Sequence, residues 1–152
     1  GYDPSDYPPF GMTVDVAVLT RREGALHVLL IERGQDPWKG HWALPGGFVD
    51  IDEDLTDAAL RELHEETGIR VDRLEQLGAY GRPDRDPRMR IVSVAYWTFV
   101  DDLPAPQGGD DAADALVIPI DHALSRPERF ASDHHLILGD VRDRYMEHTQ
   151  AP

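Results

Sequence analysis

Apolar residues recur at two spacings along this chain, and each spacing predicts one kind of element. β-branched and apolar runs predict strands over Thr13–Thr20 and Ala25–Glu32, and the polar residues 21–24 between them predict a hairpin. The same composition predicts further strands over Asp72–Tyr80, Arg90–Val100 and Ala115–Ile120. Gly, Pro and Asp mark the loops 81–90 and 103–114 that separate them.

Apolar positions three and four residues apart predict two main helices. In the first helix, Ala59, Leu60 and Leu63 form the apolar face, Asp52 is the expected N-cap, and Gly68 is the expected end. Strands that precede, separate and follow the two helices predict an α/β fold with a mixed sheet between helices.

The second helix is expected over Ser132–Gln150, capped by Ser132 or Asp133, with buried side chains at Leu136, Leu138, Val141 and Tyr145. A shorter helical turn is expected within 122–131, where Pro127 interrupts it. His134 and His135 are expected to make local polar contacts rather than to bind a metal.

The length of 152 residues predicts one domain, over 12–150, after an N-terminal arm at 1–11 that carries three prolines and two aspartates. This arm is expected to be either a disordered tail or a segment contributed to a homodimer. The sequence has no run of about 18 apolar residues, so no membrane helix is predicted. The polar, proline-rich start of the sequence predicts no signal peptide. The chain has no cysteine, which fits the expectation of a cytoplasmic protein.

The formal net charge of −14 argues against a long nucleic acid as partner, because such partners are bound largely through Lys and Arg. A small anionic substrate would need a local basic patch or metal ions to overcome the field of the whole chain. The charge therefore directs attention to the places where like or opposite charges cluster.

Glu62, Glu65 and Glu66 are the first such cluster, since a helix brings all three to one side. Carboxylates this close repel one another, and a hard divalent cation such as Mg²⁺ would relieve the repulsion. The alternative is an acidic surface helix without a ligand. Upstream, Gly46 and Gly47 allow the backbone to approach a ligand and to offer carbonyl oxygens.

The residues around the cluster follow one pattern from Gly47 to Ile69: Gly, five residues, Glu53, seven residues, Arg61-Glu62-Leu63, one residue, Glu65-Glu66, one residue, Gly68-Ile69. This matches the box GX5EX7REUXEEXGU, with U aliphatic, so the chain resembles the Nudix hydrolases. The resemblance implies an α/β/α sandwich. It also implies hydrolysis of a nucleoside diphosphate linked to another moiety, assisted by Mg²⁺ or Mn²⁺.

By the same resemblance, Glu62, Glu65 and Glu66 are the expected metal ligands, with a further ligand from the carbonyl of Gly46 or Gly47. Glu53 is expected to bind a second metal through water or to steady the site. Arg61 is expected to orient a glutamate through a bidentate fork. The general base is left open between a box glutamate and an acid on a later loop, and Asp110 and Asp111 are the loop candidates.

Four of the fifteen basic residues fall within nine positions, which predicts the binding site of the substrate's phosphates at Arg82, Arg85, Arg88 and Arg90. The alternative is that Asp84 and Asp86 pair with these arginines on a solvated loop. Trp42 is a candidate for stacking on an adenine, although core packing is the more common role of such a residue.

The segment RPDRDPRMRIVSVAY, with TVDVAVLT and WALPGG before it, is similar to the ADP-ribose pyrophosphatase branch of the family. Gly81-Arg82-Pro83 stands where that branch more usually has Gly-Asp-Pro. The resemblance implies hydrolysis of ADP-ribose to AMP and ribose 5-phosphate. The expected partner is a small nucleotide diphosphate substrate, with no nucleic-acid polymer and no membrane.

Two alternatives stay open. One is a Nudix hydrolase of an oxidised nucleoside triphosphate, a dinucleoside polyphosphate, NADH or a nucleotide sugar. The other is a non-catalytic ADP-ribose-binding module, as in related regulators. The intact box argues against the module. So does the expectation that the fold uses the roughly eighty residues after the box, which leaves no room for a winged DNA-binding domain.

Overall fold

The computed structural model describes residues 1–108 and 112–150. In these residues seven strands and three α-helices follow one another in the order β1 Gly11–Arg22, β2 Ala25–Arg33, β3 Trp42–Ala43, β4 Gly46–Phe48, α1 Leu55–Thr67, β5 Glu75–Tyr80, β6 Ile91–Phe99, β7 Ala112–Pro119, α2 Ile120–Leu124 and α3 His134–Gln150. Single 3-10 turns occur at Pro4–Asp6 and Pro127–Arg129.

The strands form one mixed sheet in the order β3-β2-β1-β6-β5, with β4 paired to β1 and β7 paired to β2. β1 and β6 run parallel, and the other pairs are antiparallel. The predicted hairpin joins β1 to β2 through Glu23 and Gly24. Both residues have positive φ, as a two-residue turn of this hand requires. The mixed sheet is thus confirmed.

The sequence of β1 is a continuous apolar run because both faces of this strand are covered. Val14, Val16 and Val18 pack with the buried face of α1, whereas Ala17 and Leu19 pack with α2 and α3 on the opposite side of the sheet. The helices therefore form two outer layers around the sheet, and the predicted α/β/α sandwich is confirmed.

α1 begins two residues later than its predicted cap implies. Asp54 is the N-cap, and its Oδ1 accepts a hydrogen bond from Leu55 N at 2.7 Å. Asp52 was the wrong residue because 50–53 form a separate turn, closed by a hydrogen bond from Glu53 N to Asp50 O. The predicted end is correct, since Gly68 adopts the left-handed conformation with φ +73°. On the apolar face, Leu60 is only half-buried.

α3 begins at His134 because Ser132 has φ +51°, outside the helical region. The side chains of both predicted caps, Ser132 and Asp133, contact Arg85. Burial of Leu138, Val141 and Tyr145 is confirmed, but Leu136 was wrong, because it points outward with 47% of its surface exposed.

Strand and turn limits differ from the prediction where pairing decides them. β5 starts at Glu75 rather than residue 72, since its ladder with β6 begins at the pair Glu75–Trp97. β7 starts at Ala112 rather than residue 115, since it follows β2 as far as Arg33. The helical turn predicted within 122–131 appears as α2 and the following 3-10 turn.

The arm at 1–10 is exposed, and β1 takes over at Gly11. Tyr2 and Tyr7 stack with ring centroids 5.9 Å apart, and Phe10 lies 5.0 Å from the Arg90 guanidinium. A role of the arm in a homodimer stays a prediction. Within the described ranges, no helix is long and apolar enough to cross a membrane.

Two leucines of α3 provide a matched test of this packing. Leu138 is fully buried, so Leu138→Ala should lower the free energy of unfolding by about 2–5 kcal/mol. Leu136→Ala should change it by less than about 0.5 kcal/mol, as for most exposed positions. Urea denaturation followed by circular dichroism measures both, and equal losses would contradict the assigned orientation of α3.

Candidate active site

The part of α1 that carries Glu62 and Glu66 lies against β4, and two glycines make this region closely packed. A Cβ on Gly47 would lie 2.7 Å from the carboxyl carbon of Glu62. A Cβ on Gly46 would overlap the backbone oxygen of Val14 and lie 2.7 Å from Asp15 Oδ1. Neither glycine has a positive φ, so space is the constraint at both positions. At Gly46 the backbone excludes a Cβ, whereas at Gly47 the end of the Glu62 side chain would have to move.

Glu66 lies in the most strongly perturbed electrostatic environment of the site. Its Oε1 accepts a hydrogen bond from Gly46 N at 3.2 Å. Burial is the main cause that raises the pKa of Glu66 to about 9; the hydrogen bond from Gly46 acts against it, and the neighbouring carboxylates of Glu62 and Asp15 act in the same direction as burial. A second ionised carboxylate beside Glu62 is therefore disfavoured unless a cation binds next to it.

Arg61 forms the bidentate fork that the sequence predicts. Its Nε and Nη2 donate to the two oxygens of Glu53 at 2.7 and 2.9 Å. Nη1 donates to Glu62 at 2.8 Å and to Glu65 at 3.1 Å, and Nη2 also reaches Phe48 O. These bonds lower the pKa of Glu53 and raise that of Arg61. Arg61 thereby ties the start of the box to its centre.

The three box glutamates are not equivalent. Glu62 and Glu66 lie together beneath β4, whereas Glu65 extends toward Arg61 with 57% of its side chain exposed. Over residues 1–108 and 112–150, no three Asp, Glu or His side chains converge on one point as a ligand set. The oxygen donors of Glu62 and Glu66 nevertheless fit a hard divalent cation, because their mutual repulsion is what such an ion relieves.

A cleft of about 810 Å³ connects the glutamates with part of the arginine-rich loop. Glu62, Glu65 and Glu66 line it together with Arg85 and Arg88. The box and the loop are separate segments of the chain, and the sequence predicts that the glutamate helix faces the loop across a cleft. The cleft therefore brings metal-binding chemistry and cationic side chains into one volume.

The arginines of the loop divide into three groups. Arg85 is buried and Arg88 is partly exposed in the cleft lining, while Arg82 is exposed and lies outside that lining. Arg90 also lies outside it, with its guanidinium over Phe10. The prediction of four phosphate-binding arginines is thus corrected to two cleft arginines, because the loop turns the others away.

Arg88 bears out the alternative of a local ion pair. Its guanidinium donates to both oxygens of Asp86, at 3.0 and 2.8 Å. The same guanidinium lies 5.4 Å from the centre of the ring of Phe48, the last residue of β4. Pairing does not remove Arg88 from the cleft, since 45% of its side chain stays exposed.

Trp42 belongs to the core and not to the substrate site. Its ring is 7% exposed and packs edge-on against Phe130 at 5.6 Å, with the Arg129 guanidinium 4.5 Å away. The assignment of Trp42 to substrate binding was wrong because β3 turns this ring toward α2 and the following turn. Trp38 lines the cleft instead.

Arg33 is a cleft residue that the sequence did not single out. It ends β2, lines the cleft, and donates from Nε to Pro37 O at 2.8 Å. Burial lowers the pKa of Arg33, and the positive charge of Arg88 lowers it further. Mutual repulsion of two guanidiniums marks a place where an anion would be stabilised. The sequence signal that could have identified Arg33 is a basic residue at the end of a predicted strand, directly before a glycine.

Asp15, Ser93 and His134 form a second unpredicted group. Ser93 Oγ donates to Asp15 Oδ2, and His134 Nε2 lies 3.5 Å from Asp15 Oδ1. Leu44 N donates to His134 Nδ1 at 2.9 Å, so the neutral ring carries its proton on Nε2. His134 makes polar contacts as expected, but its partners are distant in sequence. Asp110 and Asp111 lie outside the described residues.

Comparison with known proteins identifies similar chains. A family model described as the NUDIX domain matches residues 9–138. The ADPR responsive transcriptional repressor NtrR of Acinetobacter baylyi is 40% identical over 151 residues, 98% of this chain and 60% of the repressor. The ADP-ribose pyrophosphatase of Methanocaldococcus jannaschii is 39% identical over 115 residues, 74% of this chain and 64% of the pyrophosphatase. The chain thus spans less than two thirds of either relative's length.

Two solved structures extend the comparison. The NUDIX domain of Shewanella oneidensis NrtR, complexed with ADP ribose, has a TM-score of 0.86 at 34% identity, and the match covers 95% of this chain and 94% of that one. A bifunctional NMN adenylyltransferase/ADP ribose pyrophosphatase from Francisella tularensis, complexed with AMP and a manganese ion, has a TM-score of 0.80 at 30% identity. That match covers 91% of this chain and 42% of the bifunctional protein.

Gly47→Ala tests the close contact between β4 and α1. The added Cβ would push the Glu62 carboxylate away from Arg61, and because a side-chain end can move we expect a loss of only about 1 kcal/mol in the free energy of unfolding. Gly139→Ala is the control, because nothing lies within 4 Å of a Cβ there and α3 should gain up to about 1 kcal/mol. Urea denaturation measures both, and a neutral Gly47→Ala would contradict the contact.

The raised pKa of Glu66 predicts proton release on metal binding. With a pKa of about 9 the metal-free side chain is largely protonated at pH 7, and a carboxylate must lose its proton to bind a cation. Mn²⁺ should therefore displace about one proton at pH 7 and bind more tightly as the pH approaches 9. Calorimetry in two buffers of different ionisation enthalpy counts the protons. Equal heats would contradict the prediction.

Proposed function

The chain belongs to the NUDIX domain family, and from that premise we propose that it hydrolyses ADP-ribose to AMP and ribose 5-phosphate with Mg²⁺ or Mn²⁺. The proposal rests on one feature of the cleft. The carboxylates of Glu62 and Glu66 share a single volume with the guanidiniums of Arg33 and Arg88. This charge pattern complements a pyrophosphate ester, because a metal can hold one part of such a substrate while arginine holds another.

Glu62 and Glu66 would hold the metal, with Glu65 and a carbonyl of Gly46 or Gly47 as the proposed further ligands. A bound divalent cation neutralises phosphate charge and lowers the pKa of a water ligand. The manganese ion in the Francisella pyrophosphatase supports the choice of metal. Glu65 would have to exchange its contact with Arg61 for the metal.

The other residues of the site orient these groups. Arg61, held by Glu53, keeps Glu62 in place through its Nη1. Arg33 and Arg88 would bind the phosphates as charge-assisted donors. Asp110 and Asp111 remain our proposed loop candidates for the base that accepts the proton of the attacking water, beside a box glutamate.

A second candidate is a non-catalytic ADP-ribose-binding module. The 40% identity to an ADPR responsive repressor favours it, and so does the ADP ribose bound in the Shewanella domain. Binding without hydrolysis needs the cleft arginines but not the close pair of Glu62 and Glu66. The intact carboxylate site, with its glycine-lined contact, supports the enzyme as the first choice.

Glu66→Gln tests the enzyme. The amide keeps the shape of the side chain but removes the ligand charge, so we expect hydrolysis of ADP-ribose to fall at least about a hundredfold with little change in the melting temperature. Glu147→Gln on the exposed side of α3 is the matched control and should retain full activity. An unchanged rate in Glu66→Gln would contradict the metal-site assignment.

A substrate panel decides between the two functions. Purified protein is incubated with ADP-ribose, NADH, a nucleotide sugar, a dinucleoside polyphosphate and an oxidised nucleoside triphosphate, in Mg²⁺ and in Mn²⁺, and AMP or phosphate release is followed by chromatography. We expect ADP-ribose to be cleaved fastest. Tight binding of ADP-ribose without AMP release would support the binding module. Faster cleavage of the triphosphate would contradict the assignment of ADP-ribose as the preferred substrate.

A further inference from the structure

We propose that the buried ion pair between Arg85 and Asp133 is a positioning clamp for the arginine-rich loop, and that Arg88 rather than Arg85 contacts the substrate's phosphates. This inference rests on the proposed function, since it assigns roles within the same cleft. It separates two arginines that lie three positions apart on one loop.

The geometry of the pair is that of a rigid clamp. Arg85 donates from Nε to Asp133 Oδ2 at 3.0 Å and from Nη2 to Oδ1 at 2.7 Å, so both oxygens and two nitrogens are engaged. Only 4% of the Arg85 side chain is exposed. Burial alone would raise the pKa of Asp133, but the bonds from Arg85 lower it. Such a pair fixes orientation strongly, because neither charge has water as an alternative partner.

The neighbours of Asp133 show that the clamp joins parts of the cleft wall. Ser132 Oγ donates to the backbone oxygen of Arg85, which adds a second link to the same loop residue. His134 contacts Asp15 on β1 and accepts from Leu44 N. Ser132 and His134 both line the cleft. Three consecutive residues before and at the start of α3 thus connect the loop, β1 and the segment ahead of the glycines.

Arg85 and Arg88 differ in what they can offer a ligand. The strongest donors of Arg85 already face a buried carboxylate, whereas nearly half of the Arg88 side chain faces solvent. Asp86 and Phe48 hold Arg88 ready, and the charge of Arg88 acts on Arg33 across the cleft. Misplacing a binding group by about 1 Å is enough to weaken catalysis strongly. The ion pair of Arg85, three residues away, therefore controls how well Arg88 is positioned to bind the phosphates.

Asp133→Asn separates this role from a simple charge effect, because the two predict opposite signs. Removing a carboxylate makes the cleft less negative, and by charge alone it would lower the KM for an anionic substrate. It would also free Arg85 for the substrate if Arg85 were the ligand. Loss of the clamp instead misplaces Arg88. We therefore expect KM for ADP-ribose to rise about tenfold with kcat changed less than about threefold.

Asp121→Asn is the matched control. Asp121 also faces an arginine, Arg142, but at 3.5 Å on the exposed surface and outside the cleft, so KM and kcat should be unchanged. Arg88→Gln should raise KM at least as much as Asp133→Asn does. The double variant should add little to Arg88→Gln alone, because the clamp acts through Arg88.

Ser132→Ala decides the matter if Asp133→Asn does not fold. It removes the hydrogen bond to the Arg85 backbone and the long one, at 3.3 Å, to Asp133 Oδ1, leaves both partners of the ion pair in place, and should raise KM by about threefold. Hydrogen exchange should show faster exchange in 81–90 for both variants. An unchanged or lowered KM in every folded clamp variant would overturn the inference.

Failure of the proposed function has a different signature. If wild-type protein releases no AMP from ADP-ribose, the enzyme assignment fails, but the clamp is still tested by the dissociation constant of ADP-ribose. That constant should rise about tenfold in Asp133→Asn and stay unchanged in Asp121→Asn. Equal affinity in wild type and Asp133→Asn would overturn the clamp whether or not the protein is an enzyme.

Discussion

The close approach of β4 to α1 is the constraint on which the rest of the site depends. No side-chain atom fits between Gly47 and the Glu62 carboxylate, and Gly46 is equally confined by Val14 and Asp15. Glu62 can lie this close beneath the strand because Gly47 lacks a Cβ, and the strand can lie this close to β1 because Gly46 lacks one. The strand in turn is held by its pairing with β1, whose other neighbours form the centre of the sheet. Sheet, strand and helix therefore position one another.

That arrangement concentrates charge on an already acidic chain, with a net charge of −14. Glu62, Glu66 and Asp15 act on one another in a partly dry site, where charges interact more strongly than in water. Arg61 offsets part of this field through Glu53, Glu62 and Glu65. At the other part of the cleft, Arg33 and Arg88 repel each other. A ligand that binds a cation through one group and the guanidiniums through another would reduce the repulsion at both places. This is the physical case for a nucleoside diphosphate.

Details at the ends of elements show where local rules compete. Asp52 and Asp54 are both good caps, and the turn at 50–53 decided for Asp54. Ser132 and Asp133 are good caps as well, but their side chains contact Arg85 instead. Leu136 and Leu138 are equally apolar, and only the sheet beneath α3 makes one buried and the other exposed. In each case two choices had similar local energies, so a tertiary contact selected between them.

The sequence by itself determined the α/β class, the glutamate helix with its glycine approach and left-handed stop, and the fork of Arg61. These features depend on residues close together along the chain, whose spacing sets their geometry. Only the tertiary structure decided which arginines enter the cleft, that Arg33 joins Arg88, that His134 reaches Asp15, and that Trp42 is core while Trp38 faces the cleft. Those contacts join residues distant in sequence, and helix or strand propensity contains no information about which distant segments will meet.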